Sequence, residues 1–233
     1  MVLDRLAVAP EVHALRPDFA VLALAVTGLV NGPGDAQSEA WLGEAEAAAR
    51  GAGGVTPPHV VSWQEAYRAF GAKPQRTASS VEALWKRAAG PGLPRVNWLV
   101  DVYNAISVAH LLPVGGEDLA SYSGPIRLVR ATGAEAFDTM KDGQPVSDPP
   151  LPGEVVWADD LGVTCRRWNW RQCRRTAITE ATVDFWFVFD RLPPLEIDDL
   201  RRAGDSLVTA MMAASPGCEV DSQLIGPPDS PGR

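Results

Sequence analysis

The residues of this 233-residue sequence that are best suited to chemistry lie in one short arginine-rich segment, residues 166–175. It holds five Arg and two Trp and no acidic residue, although the whole chain has a net charge of −8. Guanidinium groups this close repel one another unless an anion lies among them, and Arg pairs well with phosphate. Indole rings stack on nucleobases. The segment therefore predicts contact with the phosphates of single-stranded RNA and stacking of a base on Trp.

The same segment also has a structural interpretation, in which Asp159, Asp160 and Glu180 neutralise the arginines within a network of ion pairs. If the segment forms a strand, alternate side chains face opposite sides, so that one set packs and the other faces a ligand. The two sets are Arg166, Trp168 and Trp170, and Arg167, Asn169 and Arg171. Both interpretations stay open at this point.

The elements that must position this segment follow from apolar spacing and turn residues. Helices are predicted over 38–50, from Ser62 to Phe70, behind a cap at Ser79, over 96–111 and over 196–214; strands are predicted over 19–26, 126–131, 155–157, 162–165 and 183–189. A proline-rich loop is expected over 141–153. Helices first and strands later favour an α+β fold, with one domain over 1–214 and a flexible tail over 215–233.

Composition and charge exclude several classes of protein. The longest apolar stretch, Phe19–Val30, has about a dozen residues where a membrane span needs roughly 20. The N-terminus lacks the pattern of a secretion signal, so a cytoplasmic protein without membrane contact is expected. Net acidity argues against a broadly basic DNA binder. The three Cys form no C-x-x-C pair, so neither a metal nor another cofactor is expected.

Several runs of residues occur in an order that resembles a known family. The first three are Glu154–Asp160, Gly162–Arg171 and Arg175–Thr182; the others are Gly71–Pro74 with Ser79–Leu84, Leu93–Ser107 and Leu112–Leu119. Together they resemble the B3/B4 module, which occurs in the β subunit of phenylalanyl-tRNA synthetase and as free-standing small proteins. The match extends over about residues 60–192, more than half of the chain.

The resemblance implies an α+β domain with a β-barrel-like or sandwich-like core flanked by helices. In the synthetase the module is an editing site, which hydrolyses the ester of a mischarged tRNA. The implied partner is therefore the 3′ end of an aminoacyl-tRNA, with a synthetase as a further possible partner. An aminoacyl ester is already activated, so its hydrolysis needs a positioned water and donors for the oxyanion rather than a dedicated nucleophile.

Candidate site residues follow from this interpretation. Carboxylates are expected to hold the α-ammonium group, so the catalytic candidates lie at Glu154 and at the Thr179–Glu180 pair. Asp101 and Asn104, one helical turn apart, either cap loops or line the pocket. The candidates for substrate or RNA binding are Asp101, Asn104, Arg166, Arg167, Trp168, Asn169, Trp170 and Arg171.

Three functions are compatible with these residues. The first is an editing-type hydrolase that deacylates a mischarged tRNA in trans. The second is a non-catalytic module that binds tRNA or a synthetase; it is favoured by Gly115, which stands where bacterial synthetase modules carry His. The third is a transferase that passes the amino acid from tRNA to a small acceptor, and only the identity of the product separates it from the first.

Overall fold

Two β-sheets packed face to face form the centre of the computed structural model, which describes residues 3–227. One sheet has the strand order β1 (Leu6–Val8), β4 (Ile126–Arg130), β7 (Val155–Ala158), β8 (Val163–Arg166) and β9 (Arg171–Gln172). The other has the order β11 (Glu219–Ile225), β2 (Ala20–Thr27), β10 (Asp184–Arg191) and β3 (Val114–Asp118). Among the strands of residues 3–227, only β1 and β4 pair in parallel. A separate hairpin pairs β5 (Asp138–Lys141) with β6 (Gln144–Ser147).

Six α-helices surround the sheets in the described part of the chain. They are α1 (Pro10–Leu15), α2 (Ala36–Gly51), α3 (Pro58–Ala69), α4 (Ser80–Ala89), α5 (Trp98–His110) and α6 (Ile197–Ala214). Helices α5 and α6 cover the outer face of the second sheet, and α2 and α4 pack on α5. Helix α3 belongs to the apolar core that lies between the sheets.

The position of strand β10, with packed elements on both of its faces, explains why its sequence is an almost continuous apolar run. Phe185, Phe187 and Phe189 pack against α5 and α6, whereas Trp186 and Val188 face the core between the sheets. A strand that is buried on both faces loses the alternation of apolar and polar residues that marks a half-exposed strand. The α+β class and the sandwich-like core flanked by helices are confirmed, and no closed barrel forms among residues 3–227.

The structure differs from the sequence predictions at three places. Helix α3 begins at Pro58, so Ser62 lies inside it, where its hydroxyl donates to the carbonyl of Pro193 rather than capping. The expected loop at 141–153 starts within the β5–β6 hairpin. The tail expected to be flexible from Ser215 onward instead contributes β11, which pairs with β2 along seven residues; its last residues, 228–233, lie outside the described part.

Candidate functional site

A cavity of about 280 Å³ lies where β3 and β9, the edge strands of the two sheets, approach each other beside α4 and α5. We call it the aromatic cavity because four indoles and one phenol line it. These rings belong to Tyr103, Trp157, Trp168, Trp170 and Trp186. Two acidic side chains, Glu117 and Asp190, also line it. The side chain of Gln172 joins the two strand edges by donating to the carbonyl of Gly116 at 2.8 Å.

Asp190 brings an incompletely paired carboxyl group to the cavity. Its side chain is buried on β10, and the amide of Asn169 donates to Oδ2 at 3.0 Å. The hydroxyl of Tyr67 donates in turn to Oδ1 of Asn169 at 2.9 Å, which fixes the orientation of the amide. The other oxygen, Oδ1 of Asp190, is buried and has no hydrogen-bond partner. Burial raises the pKa of Asp190 to about 7, despite the hydrogen bond from Asn169.

Glu117 is the second buried acid of the cavity. It lies on β3, and its Oε2 accepts hydrogen bonds from the indole N–H of Trp186 at 3.2 Å and from the hydroxyl of Tyr122. Burial raises the pKa of Glu117 to about 8, although hydrogen bonding by the side chains of Trp186, Thr164 and Gln172 opposes the shift. Glu117 is therefore largely protonated at neutral pH while the cavity is empty of a cation.

The cavity carries an acidic and aromatic lining without a basic residue. Among the described residues that line it, the ionisable groups are Glu117, Asp190, the Tyr103 phenol and the Cys165 thiol. Burial raises the pKa of both the Tyr103 phenol and the Cys165 thiol, so these two groups are neutral at physiological pH. Indole faces attract cations, and a buried carboxyl ionises readily beside one. The arrangement therefore fits a ligand with an ammonium group on an apolar body.

The arginine-rich segment forms a hairpin whose guanidinium groups are partly neutralised by carboxylates. Arg166 is buried, and Glu154 accepts from its Nε at 2.8 Å and from its Nη2 at 2.9 Å. Arg175 makes the same kind of pair with Asp159, at 2.9 Å on both oxygens. Glu154 is thus engaged by Arg166, and the expectation that it holds a substrate ammonium has to be corrected.

The turn of this hairpin, residues 167–170, decides where its rings lie. Arg167 and Trp168 adopt left-handed backbone conformations, with φ of 48° and 69°. The Trp168 ring is fully buried, with edge contacts to Phe19 and Trp63, so it cannot stack on a base from solvent. The guanidinium groups of Arg167 and Arg171 lie 4.4 and 4.6 Å from the ring centre of the half-buried Trp170.

The remaining predicted residues divide between the cavity and other surfaces. Asn104 and Asn169 line the cavity. Asp101 is buried at the start of α5, where it accepts from the amide of Val96 at 2.8 Å and lines a separate groove beside Asp35. Thr179 and Glu180 are exposed on the segment before β10 and are absent from the described cavity lining, so the geometry does not bring them together with Glu154.

The sequence analysis missed the two acids and most of the rings of the cavity. Asp190 carries the clearest signal, because it directly follows the apolar run Phe185–Phe189 and continues the alternation of Trp186 and Val188. Glu117 lies in a short run after two glycines, which by themselves indicate only a turn. No pattern in the sequence shows that α5, β7, β10 and the turn of the hairpin bring their aromatic side chains to one cavity.

Comparison with known proteins places the chain in a family. The model of the B3/4 domain matches residues 62–207, more than half of the sequence, so the protein belongs to the B3/4 domain family. A similar solved structure is an N-terminal fragment of the phenylalanyl-tRNA synthetase β subunit from Pyrococcus horikoshii, at 13% identity and a TM-score of 0.44. That alignment covers 92% of this chain and 49% of the fragment, so the chain spans about half of its length.

No curated protein matches the sequence. Within residues 3–227, no helix combines the length and the apolar character that a bilayer crossing requires, and no group of three or more His, Cys, Asp or Glu side chains is arranged to hold a metal ion.

Proposed function

We propose that this protein is an aminoacyl-tRNA deacylase that acts in trans on a mischarged tRNA. Its membership of the B3/4 family supports a role connected with tRNA or a synthetase. The observation that carries the proposal is the unpaired, buried Oδ1 of Asp190 on the wall of the aromatic cavity. The cavity would hold the aminoacyl group, and the tRNA 3′ end would lie at its mouth near the exposed Ala83.

Asp190 is the proposed general base. A general base works best when its pKa lies near the operating pH, and the pKa of Asp190 is about 7. Its free oxygen takes a proton from a water molecule, whose oxygen attacks the carbonyl carbon of the ester. The ester C–O bond then breaks, and the ribose hydroxyl leaves with a proton returned from Asp190. Asn169 and Tyr67 act as positioning residues, because the Asn169 amide donates to the other oxygen of Asp190 and the Tyr67 hydroxyl holds that amide in place.

Glu117 is the proposed partner of the α-ammonium group. Its pKa of about 8 describes the cavity without a cation, and an ammonium group nearby lowers that pKa and makes the carboxylate stable. The rings of Trp157 and Trp186 supply apolar contact area and a favourable field for the cation. In this proposal Glu117 binds the substrate, and Asp190 transfers the proton.

The proposal is tested by incubating the protein with a set of tRNAs, each charged with a different labelled amino acid, under single-turnover conditions. We expect accelerated loss of at least one ester, and a decrease of about 10²- to 10⁴-fold in that rate for Asp190→Asn. Asp160→Asn is a matched control, because Asp160 is exposed and pairs with Arg127 outside the cavity. Unchanged ester lifetimes across the whole set would overturn the proposal.

A non-catalytic binding module is the second candidate function. Gly115 lines the cavity and contributes no side chain at the position where the resemblance implies a His. Under this alternative, the protein binds tRNA with an affinity that falls as salt rises, while the ester keeps its uncatalysed lifetime. Binding and cleavage measured on the same charged tRNA therefore separate the two functions.

A further inference from the structure

A second concave surface lies next to the aromatic cavity and has the opposite charge. We call it the basic groove; its volume is about 540 Å³. The loop between α3 and α4 forms one side, with Lys73, Arg76 and Thr77, and Arg167 of the hairpin turn forms the other. The ring of Trp170 lines both the basic groove and the aromatic cavity, so the two surfaces share a wall.

Two of the three basic side chains of the groove lack a counter-ion among the described residues. Lys73 and Arg76 are exposed, and neither makes a salt bridge with a described carboxylate. The one acid that lines the groove, Glu154, is already held by Arg166 through both oxygens. In a chain whose net charge is −8, three basic side chains around one groove form a local positive potential.

Arg167 is held in a position to contribute to this potential. Its guanidinium donates to the hydroxyl of Thr77, and its Nε lies 3.6 Å from Oε2 of Glu154, a distance at which the pairing is weak. Its guanidinium carbon also lies 4.4 Å from the ring centre of Trp170. These contacts hold the Arg167 guanidinium beside the groove, and Glu154, which is shared with Arg166, compensates its charge only in part.

We propose that the basic groove binds the phosphodiester backbone of a single-stranded RNA end whose terminal residue enters the aromatic cavity. This inference rests on the proposed function for the direction of the strand, but the groove itself is a separate site. Lys73 and Arg76 contact phosphate oxygens, and Arg167 anchors the phosphate next to the shared wall. The assignment moves the phosphate contacts away from Arg166, whose guanidinium is buried against Glu154.

The test uses a labelled, uncharged single-stranded RNA that ends in CCA, with its Kd measured by fluorescence anisotropy at several salt concentrations. Loss of two phosphate contacts lowers the slope of log K against log salt by about 1.4, because each contact on a single strand contributes about 0.7. We therefore expect the double variant Lys73→Ala, Arg76→Ala to bind more weakly and with this reduced slope. The double variant Arg201→Ala, Arg202→Ala removes the same charge from exposed positions on α6 and serves as the control.

The possible results of this experiment test the groove assignment independently of the proposed deacylase activity. Equal weakening by both double variants, or an unchanged slope in the groove variant, overturns the groove assignment, because the effect is then general electrostatics. Because the RNA carries no ester, a weaker groove variant upholds the groove even if no charged tRNA is cleaved. Competition by adenosine monophosphate or inorganic phosphate at concentrations near the Kd of the RNA would assign the groove to a free phosphate and overturn the RNA assignment.

Discussion

Two pairs of buried carboxylates lie close to the arginine-rich hairpin, and their surroundings differ. Glu154 and Asp159 are each held by an arginine through two oxygens. Burial opposes ionisation of Asp159, but the hydrogen bonds from Arg175 and from backbone amides outweigh it, so its pKa lies below the ordinary value. Glu117 and Asp190 have no cationic partner at hydrogen-bond distance, and burial raises the pKa of both. The first pair holds the fold together, whereas the second is available to a ligand or to a proton.

The comparison teaches that an unusual residue composition does not by itself locate a site. The arginines are the most conspicuous feature of the sequence, yet two of them, Arg166 and Arg175, form ion pairs within the fold. The acids that line the cavity are inconspicuous in the sequence. They stand out in the structure because they are buried without a cationic partner at hydrogen-bond distance among the described residues, which raises their pKa values.

The largest expected effect comes from breaking the structural pair. Arg166→Ala leaves Glu154 buried without its bidentate partner, and an uncompensated buried charge costs about 3–5 kcal/mol of stability. Denaturant unfolding at neutral pH measures this loss. Arg174→Ala, at an exposed position of the same segment, is the control and is expected to change the free energy of unfolding by less than about 0.5 kcal/mol. A stable Arg166→Ala protein with weakened RNA binding would instead make Arg166 a ligand contact.

The next effect concerns the pH dependence of stability. The pKa of Glu117 is about 8 in the folded protein against an ordinary value of 4.5, so the folded state holds this proton more tightly. The resulting stabilisation is complete below pH 4.5 and is lost as the pH rises towards 8. Glu117→Gln removes this dependence, so its free energy of unfolding should fall less between these pH values than that of the wild type.

Glu46 provides the control of opposite sign. Its hydrogen bonds from Arg50 and Arg95 lower the pKa of Glu46 to about 2, so its contribution is present above pH 4.5 and is lost as the pH falls towards 2. Glu46→Gln should therefore flatten the acid limb of the stability curve and leave the neutral limb unchanged. Identical neutral limbs for the wild type and Glu117→Gln would show that Glu117 has no unusual pKa.

The smallest effect is expected at the exposed segment before β10. Thr179 and Glu180 lie outside the described cavity lining, so Glu180→Ala should change the free energy of unfolding by less than about 0.5 kcal/mol. Thr179→Ala should cost about 1 kcal/mol, because the Thr179 hydroxyl hydrogen-bonds with that of Thr182 and accepts from the amide of Ala181. Rates of ester cleavage should equal that of the wild type in single-turnover assays. A loss of cleavage at Glu180→Ala with stability unchanged would move the catalytic carboxylate from Asp190 to this segment.

Much of the fold could be predicted from local signals. The spacing of apolar residues and the Ser79 cap predicted α4, whose first turn does use the Ser79 hydroxyl as an acceptor. The run at 183–189 predicted β10 because a strand buried on both faces is apolar throughout. Strand β11 was missed because its mixed polar and apolar residues gain their structure from pairing with β2, which no local pattern shows.

The candidate site could be predicted only in part, for a physical reason. Asn104, Trp168, Asn169 and Trp170 were chosen and do line the cavity. Glu117 and Asp190 were not chosen, because a raised pKa is a property of the surrounding tertiary structure rather than of the residue. For the same reason, the pairing of Glu154 with Arg166 depends on the β7–β8 register and the hairpin turn.

The most direct test of the account is the pH profile of single-turnover ester cleavage, corrected for uncatalysed hydrolysis. If the free oxygen of Asp190 activates the water, the rate constant rises with pH through a midpoint near 7 and then levels off, and Asp190→Asn gives a low profile without that midpoint. A wild-type rate without an inflection near pH 7, or an Asp190→Asn protein that keeps the wild-type profile, would contradict the account.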